Sequence, residues 1–157
     1  MPHTSVDMTL QIESTSSDNT EALAASIGGR LKGGEVLGLS SDLGGGKTTF
    51  VRGLAQGMGS ADRVASPTFT ISKVYVGPKL AVYHFDFYRL HDPGVVAHEL
   101  HDVIGDPDIV VAIEWGDTVQ DVLPDEHMGI TLVRSGDTTR TLRIEYPTSY
   151  AYLVEGL

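Results

Sequence analysis

The chain contains the glycine-rich segment Ser41-Asp42-Leu43-Gly44-Gly45-Gly46-Lys47-Thr48, which ends in Gly-Lys-Thr. The run before it, residues 35–40, is mostly apolar and has the length of a strand. The residues after it have helical spacing, which places Phe50, Leu54 and Met58 on one face. A strand, a glycine-rich turn and a helix that opens on Gly-Lys-Thr are the context that a phosphate-binding loop requires.

The residue types in this segment suit the binding of a nucleotide with its metal ion. Successive backbone N–H groups in a tight turn form a concave anion site, and the helix N-terminus adds partial positive charge. Lys47 can reach the β- and γ-phosphates, and the hydroxyl of Thr48 can ligate Mg²⁺. We therefore predict an ATP site with contacts from Ser41, Asp42, Leu43, Gly44, Gly45, Gly46, Lys47, Thr48 and Thr49.

Ser41 is the one departure from the usual loop pattern, G-x-x-x-x-G-K-[ST], in which a glycine stands at this position. A serine is tolerated here if its φ is negative and is strained if its φ is positive. An ordinary glycine-rich loop before a helix is the alternative interpretation. The strand in front and the intact Gly46, Lys47 and Thr48 favour the phosphate loop over that alternative.

Length and composition predict one globular domain. The 157 residues suffice for a single core, with the motifs in residues 8–146 and a C-terminal tail at 147–157. The chain has no cysteine, so it carries neither disulfides nor a thiolate site. Its net charge of −10 argues against direct binding of nucleic acid. Without a bilayer-length apolar run or a signal-peptide pattern, it is expected to be soluble and cytoplasmic.

The hydrophobic pattern predicts an α/β fold with a mainly parallel central sheet flanked by helices and an antiparallel C-terminal hairpin. A first helix is predicted from a capping box at Asp18 and Glu21 to a stop at Gly33-Gly34. A second helix follows the glycine-rich segment as far as Gly59, and a short third one is predicted at residues 93–103. Strands are predicted at residues 8–13, 35–40, 70–76, 80–86, 108–114, 128–133 and 139–146.

Two acids, Asp86 and Glu114, directly end apolar runs of strand type. Ligands of α/β sheets bind beyond the carboxyl ends of the strands, so both acids should lie at the nucleotide site. Phosphate-loop enzymes hold Mg²⁺ with such an acid and position the attacking water with a second polar residue. We predict that Lys47, Asp86 and Glu114 act in catalysis and that Thr48 and Glu114 hold Mg²⁺. The sequence does not decide whether Asp86 or Glu114 contacts Mg²⁺ directly.

Three further residues each have a functional and a structural interpretation. Thr68, in the loop Ser66-Pro67-Thr68-Phe69, either contacts the γ-phosphate or Mg²⁺ as a switch residue or belongs to an ordinary turn. His84 precedes Asp86 by two positions on a strand, so both should face one side, where His84 lines the site or is a satisfied core histidine. Trp115 either stacks on the nucleotide or a partner, or simply packs.

A zinc interpretation of His98-Glu99-Leu100-His101 is disfavoured by spacing. The zinc motif H-E-x-x-H places its histidines four positions apart on a helix, whereas these are three apart. An exposed polar helix face is the better interpretation.

The chain resembles the TsaE family (also called YjeE) in four motifs that occur in the family's order and spacing over residues 8–146. The glycine-rich segment with Thr49-Phe50 and Arg52-Gly53-Leu54 is similar to the family's loop. The other three motifs are Ser66-Pro67-Thr68-Phe69, His84-Phe85-Asp86-Phe87-Tyr88-Arg89-Leu90 and Ile113-Glu114-Trp115. The chain departs from the family at Ser41, at Gly45 and around Glu99, to which no family role can be assigned.

The resemblance implies a Mg²⁺-dependent ATP-binding protein and slow ATPase that drives or resets the complex forming threonylcarbamoyladenosine in tRNA. It implies protein partners of the TsaB and TsaD type, with tRNA reached only through them and no membrane. It also favours functional roles for Thr68, as a γ-phosphate sensor, and for Trp115. Two alternatives remain: a small-molecule kinase, and a nucleotide-binding adaptor without useful hydrolysis, which Ser41 makes credible.

Overall fold

A computed structural model describes residues 8–41, 46–61, 72–86, 98, 100–114 and 123–157, with residues 72, 73 and 86 described by their backbone alone. His98 and residues 100–103 are helical and belong to the helix predicted at 93–103. No helix in these ranges is long and apolar enough to cross a membrane. The elements are β1 (Met8–Ser14), α1 (Ser17–Gly28), β2 (Val36–Ser41), α2 (Lys47–Met58), β3 (Ser72–Val76), β4 (Ala81–Asp86), β5 (Ile109–Glu114), β6 (Met128–Arg134), β7 (Arg140–Tyr146) and a 3-10 helix (Thr148–Leu153).

The strands form one seven-stranded sheet in the order β1-β7-β6-β2-β5-β4-β3. The four central strands, β6, β2, β5 and β4, are parallel to one another. Strands β7 and β1 on one side and β3 on the other add antiparallel pairs. The predicted mainly parallel α/β fold and the C-terminal hairpin β6–β7 are thus confirmed.

Apolar side chains cover both faces of the sheet. Neighbouring residues of one strand belong to different cores, as Val36 and Leu37 do, because successive side chains of a strand point to opposite faces. The smaller core contains Val36, Phe85, Leu100, Val111 and Ile113. The larger core, between the sheet and helices α1 and α2, includes Ala24, Ile27, Leu37, Leu39, Phe50, Leu54, Val82, Val110, Ala112, Ile130 and Leu132.

The first helix starts and stops earlier than the sequence predicts. Its N-cap is Ser16, in extended conformation, whose hydroxyl accepts a hydrogen bond from the backbone N–H of Asn19 at 3.1 Å. The capping box at Asp18 and Glu21 was therefore wrong, because a serine two positions upstream of Asp18 already caps the helix. The helix ends at Gly28 rather than at Gly33-Gly34, which have positive φ in the loop to β2.

Helices α1 and α2 touch backbone to backbone. A Cβ on Gly53 would overlap the carbonyl oxygen of Glu21, and a Cβ on Gly57 would overlap that of Ala25. Glycine inside a helix costs about 0.5–1 kcal/mol relative to alanine, so the close approach explains why the sequence accepts that cost twice in α2. On the sheet side, Phe50 and Leu54 are fully buried, each worth about 1.5–3 kcal/mol. The second helix is thus fixed from two sides.

The C-terminal tail, from which the sequence predicted no structure, packs against the entry to β2. Tyr150 and Leu153 are buried in the larger core. The hydroxyl of Tyr152 donates a hydrogen bond to Oε2 of buried Glu35, whose carboxylate also accepts from the backbone N–H groups of Lys32 and Gly33 at 2.7 Å. The tail therefore helps to hold the strand that leads into the glycine-rich segment.

We expect the Tyr152→Phe variant to lose about 1–2 kcal/mol of unfolding free energy at pH 7, because Glu35 then keeps a buried charge with one hydrogen bond fewer. Burial, then the hydrogen bond to Glu35 and its charge, raise the pKa of Tyr152 above its ordinary value. The folded state therefore holds the tyrosine proton more tightly than the unfolded chain does. The corresponding stability is present in full below about pH 10 and is lost as the pH rises above it.

Urea unfolding at pH 7 and at pH 10.5 measures both effects. The wild-type chain should lose more stability between the two pH values than Tyr152→Phe does. The part that comes from Tyr150, whose pKa is also raised by burial, should remain in the variant. Equal losses in the two proteins would contradict the described role of the Tyr152 hydroxyl.

Candidate functional site

Three residues predicted for the site stand at the carboxyl ends of neighbouring parallel strands. Ser41 ends β2, Glu114 ends β5 and Asp86 ends β4. In the register of the sheet, Glu114 lies opposite Leu39 on one side and opposite Asp86 on the other. Glu114 continues the alternation of Val110 and Ala112, so its side chain lies on the face covered by α2. The backbone therefore brings these residues together at one edge of the sheet.

The start of α2 has a glycine as its N-cap residue. Gly46, the N-cap residue, has φ 103° and ψ 20°, a left-handed conformation that residues other than glycine rarely adopt. It provides no side-chain cap, and the first turn of α2 holds no acidic residue. Lys47, Thr48 and Thr49 form that first turn and are partly buried. Backbone N–H groups in a first turn have no carbonyl partner within their own helix and carry partial positive charge.

The φ angle of Ser41 decides whether a serine is tolerated or strained at this position of the loop. No described residue other than glycine has a positive φ, and Ser41 is a regular strand residue opposite Leu132 of β6. A serine is tolerated at such a position, and glycine would relieve no strain there. The departure from the usual loop pattern therefore imposes no backbone penalty at Ser41.

Several predicted site residues lie outside the described part of the chain. These are Asp42, Leu43, Gly44 and Gly45 of the glycine-rich segment, the loop with Thr68, and Trp115. Asp86 is described by its backbone alone, and Glu99 and the motif after Asp86 are also outside. Their predicted roles stay predictions.

Glu114 and His84 form a buried polar pair beneath the strand ends. Glu114 is 3% exposed and His84 is 0% exposed. Nε2 of His84 lies 3.5 Å from Oε1 of Glu114. In the described residues, the buried side-chain polar atoms without a hydrogen-bond partner are this Oε1 and both ring nitrogens of His84. Among the residues that the structure describes, His84 is thus buried without the hydrogen bonds of a satisfied core histidine.

The residues present fit a Mg²⁺ ion bound together with a nucleotide. A buried carboxylate is costly unless it is paired or coordinates a metal, and Glu114 is 3% exposed at the carboxyl end of β5. In the described ranges no three metal-binding side chains cluster. Mg²⁺ does not need such a cluster, because it is usually held by one or two carboxylates, water and substrate phosphates. Glu114 offers a carboxylate of that kind, and Thr48 offers the hydroxyl that a phosphate loop supplies to Mg²⁺.

The histidines of the disfavoured zinc motif point to solvent. His98 and His101 are both exposed, whereas Leu100 between them is buried at 1%. This arrangement is the exposed polar helix face that the spacing predicted.

A separate cleft of about 410 Å³ lies between the C-terminal ends of α1 and α2, beside Lys32, Lys79 and Leu80. Lys32 precedes β2 and Leu80 precedes β4, so the cleft is at the amino ends of the parallel strands. Ligands of such sheets bind at the opposite, carboxyl ends. The cleft is therefore not part of the candidate nucleotide site.

Comparisons with known proteins give a consistent result. A family model described as "Threonylcarbamoyl adenosine biosynthesis protein TsaE" matches residues 14–142. The chain is 39% identical over 129 residues to the tRNA threonylcarbamoyladenosine biosynthesis protein TsaE of Bacillus subtilis (strain 168), covering 80% of this chain and 78% of that relative. It is 31% identical over 142 residues to the protein of the same name from Nostoc sp., covering 88% and 87% of the two chains.

A solved structure shares the fold. The crystal structure of Bacillus subtilis YdiB superposes with a TM-score of 0.76 at 31% sequence identity, covering 94% of this chain and 93% of that one.

Proposed function

This chain belongs to the TsaE family, and from that premise we propose that it is a Mg²⁺-dependent ATP-binding protein and slow ATPase in the formation of threonylcarbamoyladenosine in tRNA. The family's description supports the pathway. Binding and hydrolysis of ATP rest on the site described above.

The observation that carries the proposal is the arrangement at the end of β2. The strand leads through the glycine-rich segment to a helix whose N-cap glycine is left-handed and has no side-chain cap. The buried carboxylate of Glu114 stands at the end of the adjacent strand. Anions are favoured at such a helix N-terminus, and a cation is favoured at such a carboxylate. A polyphosphate bound with a divalent cation places an anion at the helix N-terminus and a cation at the carboxylate.

Each residue then has a distinct role. Lys47 and the backbone amides of residues 42–48 neutralise and hold the β- and γ-phosphates. Thr48 and Glu114 hold Mg²⁺, which when bound neutralises charge on the same phosphates. Asp86 orients the attacking water, and Thr68 senses the γ-phosphate. Trp115 contacts the nucleotide or a partner.

We further propose that the chain acts on tRNA only through partner proteins of the TsaB and TsaD type. A net charge of −10 disfavours direct binding to a nucleic-acid backbone, which needs Lys and Arg to neutralise phosphates. Hydrolysis then resets a protein complex rather than a protein–RNA contact. The cytoplasmic location expected from the sequence is part of the same proposal.

The test is a steady-state assay of ATP turnover with product analysis. The chain alone should release phosphate and ADP slowly, and the rate should rise when the partner complex is added. Transfer of the γ-phosphate to a small molecule would favour the kinase alternative. Tight ATP binding without turnover, even with partners present, would favour the adaptor. Tight binding of tRNA by the isolated chain at physiological salt would contradict the indirect role.

A further inference from the structure

His84 lies on the same face of the sheet as Glu114, two positions further from the carboxyl ends of the strands. On β4, His84 lies opposite Ala112 of β5, and Glu114 follows Ala112 by two positions. Val82 and Ala112, which share this face, are both in the larger core. The ring of His84 is packed near that of Tyr75 on the edge strand β3, with centroids 6.5 Å apart. His84 thus reaches the carboxylate from the interior of the protein and not from the side of the helix N-terminus.

The contact between the two side chains is close but incomplete. At 3.5 Å, the Nε2–Oε1 distance exceeds the usual 2.7–3.2 Å of a hydrogen bond, and within the described part of the chain neither atom has another hydrogen-bond partner. Buried polar atoms are nearly always hydrogen-bonded, and an unmet one costs free energy. Hydrogen bonds of a functional site are often long in the free protein and shorten when its ligand binds.

We propose that His84 is the positioning residue of Glu114, donating a hydrogen bond from Nε2–H to Oε1 so that the other carboxylate oxygen is held for Mg²⁺. Carboxylates that ligate metals are usually held by such a second hydrogen bond, and its loss typically weakens metal binding by about 10- to 100-fold. The inference rests on the proposed function, because it assigns a residue to the same metal–nucleotide site.

Two variants separate positioning from mere packing. His84→Phe keeps an apolar ring of similar size but has no donor. His84→Gln keeps an N–H donor near the position of Nε2. Folding of both is checked by thermal unfolding without ligand, so that a loss of fold is not mistaken for a loss of metal binding.

The readout is the affinity for a fluorescent ATP analogue, measured with EDTA and then with increasing Mg²⁺. In His84→Phe, the Mg²⁺-dependent gain in affinity should fall by about 10-fold or more, while binding in EDTA stays unchanged. In His84→Gln, the gain should return to within about threefold of wild type. A wild-type gain in both variants, or equal loss in both, would overturn the positioning role.

A second measurement observes the His84 ring of the wild-type protein directly. In ¹⁵N-histidine NMR spectra with Mg²⁺ and ADP, Nε2 of His84 should carry the proton, with the signal assigned by its absence in His84→Gln. A neutral ring with its proton on Nδ1 would overturn the inference alone. If the wild-type protein shows no Mg²⁺-dependent nucleotide binding, the proposed function fails and the inference fails with it.

Discussion

The Lys47→Ala variant is expected to bind ATP about 10- to 150-fold more weakly than wild type, with no measurable loss of fold stability. Lys47 is the first residue of α2 and is only partly buried, so the core does not depend on it. A hydrogen bond to a charged group is worth about 1.5–3 kcal/mol, which corresponds to that range in affinity. Equilibrium binding of a fluorescent ATP analogue and urea unfolding measure the two quantities.

Lys79→Ala is the matched control for this variant. It removes the same charge from the same acidic chain, but at an exposed position beside the cleft at the other end of the sheet. It should leave nucleotide affinity unchanged. Unaltered affinity and turnover in Lys47→Ala, or equal effects in both variants, would contradict the assignment of the phosphate loop.

Replacing Glu114 and replacing Asp86 should have different consequences for ATP binding and for turnover. Glu114→Ala removes the buried carboxylate beside β2 and is expected to weaken Mg²⁺-dependent ATP binding by at least about tenfold. Asp86→Asn is expected to leave binding nearly intact and to lower turnover by about 100-fold, because it changes a group assigned to the chemical step. Nucleotide titrations with and without Mg²⁺, together with single-turnover rates, distinguish the two.

Asp137→Asn, an isosteric change at the exposed tip of the β6–β7 hairpin, is the control for the loss of charge. Asp86→Asn should still dock on the partner proteins when ATP is bound, yet fail to support repeated rounds of tRNA modification. Weaker Mg²⁺-dependent ATP binding in Asp86→Asn, with only turnover lowered in Glu114→Ala, would mean that Asp86 holds Mg²⁺ and Glu114 acts in the chemical step. Full activity of Asp86→Asn over many rounds would refute the mechanism.

Much of the fold could be predicted because the apolar runs are bounded by clear turn residues. Strand β2 was placed to within one residue at each end, and the antiparallel hairpin β6–β7 was predicted. The order of the strands was not predictable from periodicity, since β2 pairs with β5 and β6, which are distant in sequence. The membership of the TsaE family, inferred from four motifs, is confirmed.

The candidate site was predictable in its residue types but not in its contacts. An acid at the end of an apolar strand indicates a site, and that argument found Glu114 and Asp86. The sequence also placed His84 on the side of Asp86, but the 3.5 Å approach to Glu114 depends on the register of β4 against β5. The hydrogen bond from Tyr152 to Glu35 joins residues 117 positions apart, and no local pattern predicts it.

The position of β2 in the sheet has a consequence for how the protein is made. Its two neighbours begin at Ile109 and Met128, so the strand that carries Ser41 has no partner until β5 and β6 are synthesised. Non-local pairing of this kind is slow and leaves apolar strands exposed. At about 5–20 residues per second, the ribosome needs roughly 5–20 s to proceed from the end of β2 to the end of β6. During that interval β2 and α2 lack the neighbouring strands that complete their core in the native protein.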